Sequence, residues 1–338
     1  MGMIAMTKSF AAVAAAATLA AVLATGSAEA AGGGGGDDHI ARQKWSFAGF
    51  FGKYDKAQLQ RGYQVYQDVC STCHALGRIA FRNLGEKGGP EFPEETLKLY
   101  AASFKVTDGP NDAGKMFERP AKLSDRFPSP FKNEQEARSI HNGAYPPDQS
   151  LIVKARGVET EAPWYTHGLL MLKDIATGYQ EGGADYVYAV ITGYAEKPPA
   201  YARDDKGRLT RVADGKPAAG TTEVCASVTP GEDGKPDTCN KLQDGLHYNR
   251  YFAGHQIAMA NPLIGGDGLV KYTKGDDGKP SAPETAEQYA RDVTAFLAWA
   301  SDPSLDQRKR IGWQVMLYLT LTAGLLYLSK KRIWAKAH

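Results

Sequence analysis

The sequence predicts a mostly α-helical domain with long loop insertions, followed by one C-terminal transmembrane helix. Three observations predict this fold class. Apolar residues recur at helical spacing in three segments, segments dense in Gly, Pro and charge separate them, and one late stretch of eighteen residues carries no charge. The 338 residues are 43% hydrophobic and 10% aromatic, which excludes a disordered chain, and four Cys are too few for a small disulfide scaffold.

Residues 1–30 predict a cleaved signal peptide. Lys8 lies in a basic beginning, residues 10–24 are uncharged, and Ala28-Glu29-Ala30 supplies a small-x-small cleavage site. A retained N-terminal anchor is the alternative. The body, residues 31–302, is therefore expected to be exported, and its first residues include a flexible glycine run, Gly32–Gly36.

The body contains three predicted helices. Asp55 is expected to cap the first, in which Leu59, Tyr63, Tyr66 and Cys70 form one apolar face. The second spans about residues 185–194. The third follows Pro283 and has a stripe of apolar residues at Tyr289, Val293, Phe296, Leu297 and Ala300.

Two long segments predict loops. Residues 85–135 are rich in Gly, Pro and charge and are expected to be surface loop with short helices. Residues 198–245 are dense in Asp, Gly, Pro and Lys and predict an extended excursion with turns rather than core.

Residues 303–338 predict a membrane anchor and a cytoplasmic tail. Asp302-Pro303 is expected to cap the helix and begin it. The uncharged residues 311–328 would span about 27 Å, close to the thickness of a bilayer core. A buried core helix is the alternative. Basic residues flank both ends of this stretch, so their charge does not decide its orientation. The predicted signal peptide does, because it directs export of the body and leaves the basic C-terminus in the cytoplasm.

Charge argues against one class of partner. Residues 37–307 carry 32 Lys and Arg against 37 Asp and Glu, a net charge of −5. An acidic body argues against nucleic acid and permits steering of a basic protein partner, although plain solubility explains the charge equally well.

The strongest chemical signal is the run Cys70-Ser71-Thr72-Cys73-His74. At the end of a helix, Cys at i and i+3 and His at i+4 share one face. Two thiols there can bond covalently to the vinyl groups of a heme while the imidazole reaches its iron, so C-x-x-C-H predicts c-type heme attachment. The alternative is a redox dithiol, which requires a βαβ context that the upstream segment does not supply.

The other two cysteines predict a disulfide. Four Cys allow three pairings, and if Cys70 and Cys73 hold heme then Cys225–Cys239 remains. Both lie in the polar excursion of an exported domain, where a disulfide can persist as a structural cross-link.

His74 would leave the opposite axial position of the iron to another residue, and Met is the usual choice. Met1, Met3 and Met6 belong to the signal peptide and Met316 to the anchor, which leaves Met116, Met171 and Met259. The residues alone favour Met259, with Met116 as a competitor and His255 or His247 as bis-His alternatives.

The chain resembles the cytochrome c1 family, the heme subunits of the cytochrome bc1 complex, in its alphaproteobacterial form. The resemblance covers nearly the whole mature chain and implies a c-type cytochrome fold with one covalently bound heme c. Beyond the heme motif and a single late anchor, it rests on the order of the segments Asn142–Asp148, Ala155-Arg156, Asp185–Tyr188, Thr192–Tyr194, Tyr248–Phe252 and Ile257–Met259.

The resemblance implies roles for residues at matching positions. Cys70 and Cys73 would carry the thioethers, His74 and Met259 would be the axial ligands, and Arg156 would face a heme propionate. Cys225–Cys239 resembles the disulfide of bacterial members. Residues implied to line the heme pocket are Pro146, Pro147, Tyr186, Phe252 and Pro262. Three positions depart from the usual family pattern, namely Gln149, Lys154 and Asn261.

The resemblance also implies a function in the bacterial inner membrane, with the heme domain in the periplasm. An electron would arrive from a Rieske iron–sulfur protein and leave to a soluble or membrane-tethered cytochrome c, in an assembly with cytochrome b. The chain would not be catalytic alone. Alternatives are a free-standing membrane-anchored cytochrome c, a heme subunit of another oxidoreductase, and a heme sensor or peroxidase with an open axial position. Candidates for an acidic docking patch are Glu91, Glu94, Glu95, Glu159 and Glu161.

Overall fold

A computed structural model describes most of the chain after the predicted signal peptide. The described residues are 40–157, 163–166, 168–170, 182–212, 221–231, 235–274 and 278–335. The predictions for residues 1–30 and for Met171, Glu159 and Glu161 lie outside these ranges.

The described residues are organised mainly by helices. The α-helices are α1 (Lys56–Val65), α2 (Glu94–Ala102), α3 (Glu134–Ile140), α4 (Ile152–Ala155), α5 (Gly183–Thr192), α6 (Ala286–Ser301) and α7 (Leu305–Trp334). Short strands are β1 (Lys105–Asp108), β2 (Phe117–Pro120), β3 (Ala200–Arg203), β4 (Leu209–Arg211), β5 (Thr221–Val224), β6 (Ser227–Thr229), β7 (Thr238–Asn240), β8 (His247–Tyr248) and β9 (Gln256–Ile257). Short 3-10 helices span Phe81–Gly85, Gln149–Leu151, Trp164–Thr166 and Ala253–His255.

The core is built on the crossing of α1 and α6, the first and third predicted helices. The carboxylate of Asp55 caps α1 by accepting the backbone N–H of Gln58 at 2.7 Å, as expected. The helices approach so closely that a Cβ on Gly62 would lie 2.0 Å from the carbonyl oxygen of Asp292. Glycine at position 62 therefore permits the crossing. The large side chains buried around it include Leu59, Tyr63, Phe296 and Trp299.

A buried carboxylate joins the two helices. Asp292, on α6, is fully buried and accepts hydrogen bonds from Arg61 (2.8 Å) and Gln58 (3.1 Å) of α1. Gln288 and the hydroxyl of Tyr272 complete its shell at 2.8 and 2.9 Å. Because each carboxylate oxygen is paired, the charge fixes the register of the crossing without an uncompensated desolvation cost.

The second predicted helix is α5, which packs on α4 and α6. A Cβ on Gly183 would lie 1.9 Å from the carbonyl oxygen of Val153, so its first residue must be small. The buried carboxylate of Asp185 accepts from the backbone of Gln43 (3.0 Å) and the indole of Trp45 (2.7 Å). These bonds hold the N-terminal segment of the described chain against the helices.

The two predicted loop segments contain strands that the composition did not reveal. Within residues 85–135, β1 and β2 form an antiparallel hairpin, with Lys105 opposite Pro120, beside the expected short helices. Within residues 198–245, three strands pair in the order β4-β3-β5, and β6 pairs with β7. The predicted disulfide between Cys225 and Cys239 is present in this excursion.

The prediction that Asp302-Pro303 caps the last helix is wrong. Helix α7 begins at Leu305, and the Asp302 carboxylate instead accepts from Arg308 and Lys154, at 2.8 and 3.2 Å. Burial opposes ionisation of Asp302, but the hydrogen bonds from these two cations lower its pKa overall. The family departure at Lys154 thus supplies one of the ion pairs at the joint between the domain and α7.

Helix α7 is the membrane anchor expected from the sequence. It has 30 residues, about 45 Å of helix, and its most apolar stretch is not buried inside the protein. Among the described residues it is the one helix long and apolar enough to cross a bilayer. The alternative of a buried core helix is therefore wrong.

Candidate functional site

The C-x-x-C-H run begins at the last residue of a π-helical turn that directly follows α1. Residues Tyr66–Cys70 form a π-helical turn, in which Ser71 N–H donates to the Tyr66 carbonyl at 2.8 Å. Such π-bulges are frequent at functional sites. The N–H groups of Cys73 and His74 then donate to the Cys70 carbonyl at 3.1 and 2.9 Å. Residues 70–74 therefore form one helical turn with both thiols and the imidazole on one side.

The imidazole of His74 is held through one of its two ring nitrogens. Its Nδ1 lies 2.8 Å from the carbonyl oxygen of Pro147, which can only accept, so Nδ1 carries the proton and Nε2 keeps its lone pair. Burial lowers the pKa of His74, although the Pro147 carbonyl opposes this shift. A neutral imidazole oriented through its other nitrogen is the form that binds a metal ion.

The two thiols are available for chemistry. Cys70 and Cys73 are half-buried and are not in a disulfide. Burial, followed by the proximity of Cys73, raises the pKa of Cys70 to about 12, so its thiol is protonated near neutral pH. Depressed pKa is the property that favours a redox dithiol, so the raised pKa of Cys70 argues against that alternative.

Three more hydrogen bonds join the segment after His74 to the segment after Pro147. They pair backbone and side-chain groups of residues 75–78 with those of residues 148–150, as follows: Gln149 N–H to the Ala75 carbonyl (2.9 Å), Gly77 N–H to Asp148 Oδ2 (2.8 Å), and Arg78 N–H to Ser150 Oγ (3.0 Å). Together with the Pro147 carbonyl they make what we call the histidine latch, residues 74–78 with 147–150. The latch continues into α4 and packs on α6.

Arg156, which is expected to face a propionate, directly follows α4 and lies near Tyr186 of α5, a predicted pocket residue. Arg156 is exposed, and Tyr186 of α5 is half-buried. Burial raises the pKa of Tyr186, whereas the positive charge of the nearby Arg156 guanidinium acts to lower it. An exposed cation beside a half-buried ring can receive a carboxylate. Pro146 is half-buried and Pro147 exposed.

Met259 lies in a loop just after the β8–β9 hairpin and is half-buried. Its carbonyl accepts from the hydroxyl of Tyr194 at 3.0 Å. Burial raises the pKa of Tyr194, so this donor stays protonated. Asn261, the departure from the proline-rich family pattern, accepts the N–H of Leu263 at 3.0 Å and thereby forms a turn around half-buried Pro262.

A buried amide attaches the β8–β9 connection, which precedes the Met259 loop, to α5. Asn249 is fully buried, and its Nδ2 donates to the carbonyl of Val190 at 2.7 Å. Its Oδ1 accepts the N–H groups of Tyr251 and Phe252, both at 3.1 Å. Gly193 permits this approach, since a Cβ there would lie 2.6 Å from the ring of Tyr251. The backbone of the half-buried Phe252 is thus held by Asn249.

The alternative axial ligands have other environments. Met116 precedes β2 and is 59% exposed, so its sulfur lies mostly in water. His255 binds the Arg250 carbonyl through Nδ1 at 2.8 Å, and its ring stacks on Tyr248. His247 is exposed on β8. These surroundings favour Met259.

The acidic docking candidates within the described ranges lie beside lysines. Glu94 and Glu95 pair with Lys98 at 2.9 and 3.2 Å, and Glu91 pairs with Lys56 at 3.4 Å. These pairs reduce the local negative charge, so an acidic patch at this place is weaker than the residue count suggests.

The sequence predicts candidate ligands but does not identify the residues that hold their segments. Asp148, Ser150, Tyr194 and Asn249 carry the hydrogen bonds described above, and none was assigned a role. The Pro-Pro-Asp run could have indicated the turn made by Asp148, whose Oδ1 accepts the N–H of Ser150 at 2.7 Å. No local signal shows that Asn249 reaches α5, because the Val190 carbonyl that it binds lies 59 residues earlier in the chain.

Comparison with known proteins agrees with this organisation. A family model described as "Cytochrome C1 family" matches residues 45–337. "Cytochrome c1" of Blastochloris viridis is 41% identical over 293 residues, 86% of this chain and 85% of the relative. "Cytochrome c1-2, heme protein, mitochondrial" of Solanum tuberosum is 36% identical over 277 residues, 82% of this chain and 78% of the relative.

A longer relative carries a second name. "Cytochrome b/c1" of Bradyrhizobium diazoefficiens is 44% identical over 295 residues, which are 87% of this chain but 35% of that protein. The chain therefore spans about a third of that relative and most of the length of the other two. With a family match over most of its length and relatives above 30% identity, the chain belongs to the cytochrome c1 family.

Proposed function

We propose that the chain binds one heme c covalently through Cys70 and Cys73, with His74 and Met259 as axial ligands, and carries single electrons as the cytochrome c1 subunit of a quinol–cytochrome c oxidoreductase. One observation carries the heme assignment. The His74 imidazole is fixed through Nδ1 by the Pro147 carbonyl, which leaves Nε2 on the same helical turn as two free thiols. The potato relative is itself named a heme protein.

The donor atoms fit this cofactor. A neutral imidazole nitrogen and a thioether sulfur are the axial pair usual in cytochromes c, and thiols that are free and half-buried can form thioethers. The half-buried Pro146, Phe252 and Pro262 would limit water access, and the exposed Arg156 would pair with a propionate.

The chain's own residues determine which chemistry is possible. A heme bound there supplies a one-electron iron couple. The histidine latch fixes the imidazole. Tyr194 holds the backbone of Met259, and Asn249 holds the preceding β8–β9 connection against α5. His74 and Met259 would together hold the iron of a bound heme and leave no open position for oxygen or peroxide, which argues against a sensor or peroxidase.

The proposed place in the chain of electron carriers is between a Rieske iron–sulfur protein and a soluble or tethered cytochrome c, beside cytochrome b. The name "Cytochrome b/c1" of the Bradyrhizobium relative supports a partnership with cytochrome b. Helix α7 supports a single-pass anchor in the inner membrane, and the predicted signal peptide supports a periplasmic heme domain with a cytoplasmic C-terminus.

Covalent heme attachment is tested on the full chain, made in a host with a cytochrome c maturation system. We expect the heme colour to remain with the polypeptide after denaturation, and Cys70→Ala/Cys73→Ala to abolish it. The matched control is Cys225→Ala/Cys239→Ala, which removes the same number of cysteines, those of the disulfide, and should keep the colour. Heme that stays bound after denaturation of the Cys70→Ala/Cys73→Ala variant would contradict the assignment.

The electron path is tested separately. We expect the chain to co-purify with a b-type cytochrome and a Rieske protein, and its transfer rate to a basic cytochrome c to fall as ionic strength rises. Purification alone, without either protein, would favour a free-standing carrier. A rate insensitive to salt would contradict the acidic docking patch.

A further inference from the structure

A loop of the globular domain is fastened to the first turns of α7. The ammonium of Lys309 donates to three carbonyl oxygens of this loop, those of Phe47 (2.6 Å), Gly49 (2.7 Å) and Gly52 (3.3 Å). The loop turns tightly, since a Cβ on Gly52 would lie 1.9 Å from the Ala48 carbonyl oxygen. We call residues 46–52 the tethered loop.

The tip of the tethered loop presents two aromatic rings to the outside. Phe50 is 40% exposed and Phe51 72% exposed. Both rings pack edge-on against Trp313 of α7, with centroids 5.9 Å apart in each case, and 5.1 Å from each other. Trp313 is itself 46% exposed. Three aromatic rings thus form one exposed apolar cluster shared by the domain and the anchor.

The cluster lies at the level where α7 enters its apolar stretch. Arg308, Lys309 and Arg310 immediately precede the uncharged residues 311–328, and Trp313 is the third residue of that stretch. At about 1.5 Å per residue, Trp313 lies within about 5 Å of the last charge. Aromatic rings concentrate at this depth, where the apolar core meets the headgroups. Phe50 and Phe51, in contact with Trp313, lie at the same level.

We propose that the tethered loop is a second membrane contact, in which Phe50 and Phe51 insert into the headgroup–acyl boundary of the bilayer beside α7. The occupant of this surface is lipid, because the cluster is continuous with a helix that crosses the membrane and lies at its interfacial turn. The proposal rests on the anchor α7 and not on the electron-transfer function.

The tethered loop is also joined to the core, so its proposed contact with the membrane can restrain the whole domain. Phe47 is buried and packs on Tyr54, with ring centroids 5.0 Å apart. Tyr54 donates its N–H to Asp306 of α7 at 3.3 Å and its hydroxyl to the Ala298 carbonyl of α6 at 3.1 Å. A helix alone permits rotation about its axis, whereas a second contact off that axis opposes it.

The experiment places a fluorine probe on the loop of the full chain in phospholipid nanodiscs. 4-Fluorophenylalanine at position 51 keeps the ring and replaces one ring hydrogen with fluorine. The control is the same probe at Phe117, a 44% exposed ring on β2. The fluorine signal of each labelled protein is recorded with lipids carrying a nitroxide near the headgroup, and separately with a water-soluble gadolinium chelate.

We expect the lipid nitroxide to remove the position-51 signal and the gadolinium chelate to leave it, with the opposite result at position 117. The proposal is overturned if position 51 responds as position 117 does. Protection of position 51 from both probes also overturns it, because a second copy of the chain would then cover the cluster. A lipid nitroxide at the end of the acyl chain should act less than one near the headgroup.

Discussion

The two segments that carry the proposed axial ligands are held in different ways. On the His74 side, a protein atom bonds directly to the side chain that would ligate, since the Pro147 carbonyl lies 2.8 Å from Nδ1. On the Met259 side, the hydrogen bond from Tyr194 reaches only the backbone carbonyl. The histidine is thus held by a hydrogen bond to its ring, whereas the hydrogen bond to the methionine holds only its backbone.

The difference follows from the chemistry of the two side chains. Imidazole has a second nitrogen that can be held while the first binds a metal, but a thioether has a single weak acceptor and no donor. The protein can therefore orient a methionine only through its backbone and through packing. We expect changes around Met259 to alter ligation more readily than changes around His74.

The largest effect is expected from Met259→Leu. Loss of the thioether should lower the midpoint potential by on the order of 100 mV and allow the ferrous protein to bind carbon monoxide. An optical redox titration measures the first and a carbon monoxide difference spectrum the second. Met116→Leu is the control and should change neither. An unchanged potential in Met259→Leu would assign the ligand to another residue.

Asn249→Ala should have the second-largest effect. It removes one buried donor and an acceptor shared by two N–H groups, which leaves the Val190 carbonyl without this partner, and we expect a loss of about 3 kcal/mol in unfolding free energy. Urea unfolding measures it, and the thioether-to-iron charge-transfer band should weaken. Asn240→Ala, which removes two hydrogen bonds in the excursion, should leave that band intact. Equal effects on the band would contradict a specific role for Asn249.

Asp148→Ala tests the histidine latch. Its two oxygens accept from Gly77 and Ser150, and because the side chain is exposed we expect a loss of about 1.5 kcal/mol. Asp148→Asn keeps one acceptor oxygen and should lose less. The midpoint potential should shift less than in Met259→Leu, since the Pro147 carbonyl still holds the ring. A larger shift than in Met259→Leu would reverse the comparison of the two sides.

Tyr194→Phe should have the smallest effect. It removes one hydrogen bond to a backbone carbonyl, which contributes about 1 kcal/mol to the unfolding free energy. The charge-transfer band of the methionine should weaken while the imidazole remains bound. Tyr188→Phe, whose hydroxyl makes a long 3.4 Å contact with Glu287, is the control and should be nearly neutral. No change at Tyr194 would mean that packing alone positions the loop.

Local patterns predicted the helices well because their periodicity is written in consecutive residues. The cap at Asp55 and the stripes of α1, α5 and α6 are of this kind. The hairpin β1–β2 and the strands of the excursion were missed, because short, exposed and polar strands have no distinct alternation. The prediction that Asp302 caps α7 was wrong because Lys154 and Arg308 bind its carboxylate instead.

By itself the sequence determined the family, the heme motif, the helical core and the membrane anchor, since each depends on residue type and spacing along the chain. The tertiary structure decided which atoms hold the segments of the proposed ligands and the tethered loop. The Pro147 carbonyl, the Val190 carbonyl and the Lys309 ammonium meet their partners across 73, 59 and about 260 residues of chain. A hydrogen bond between such distant groups depends on the packing of the helices that carry them, and no local pattern records it.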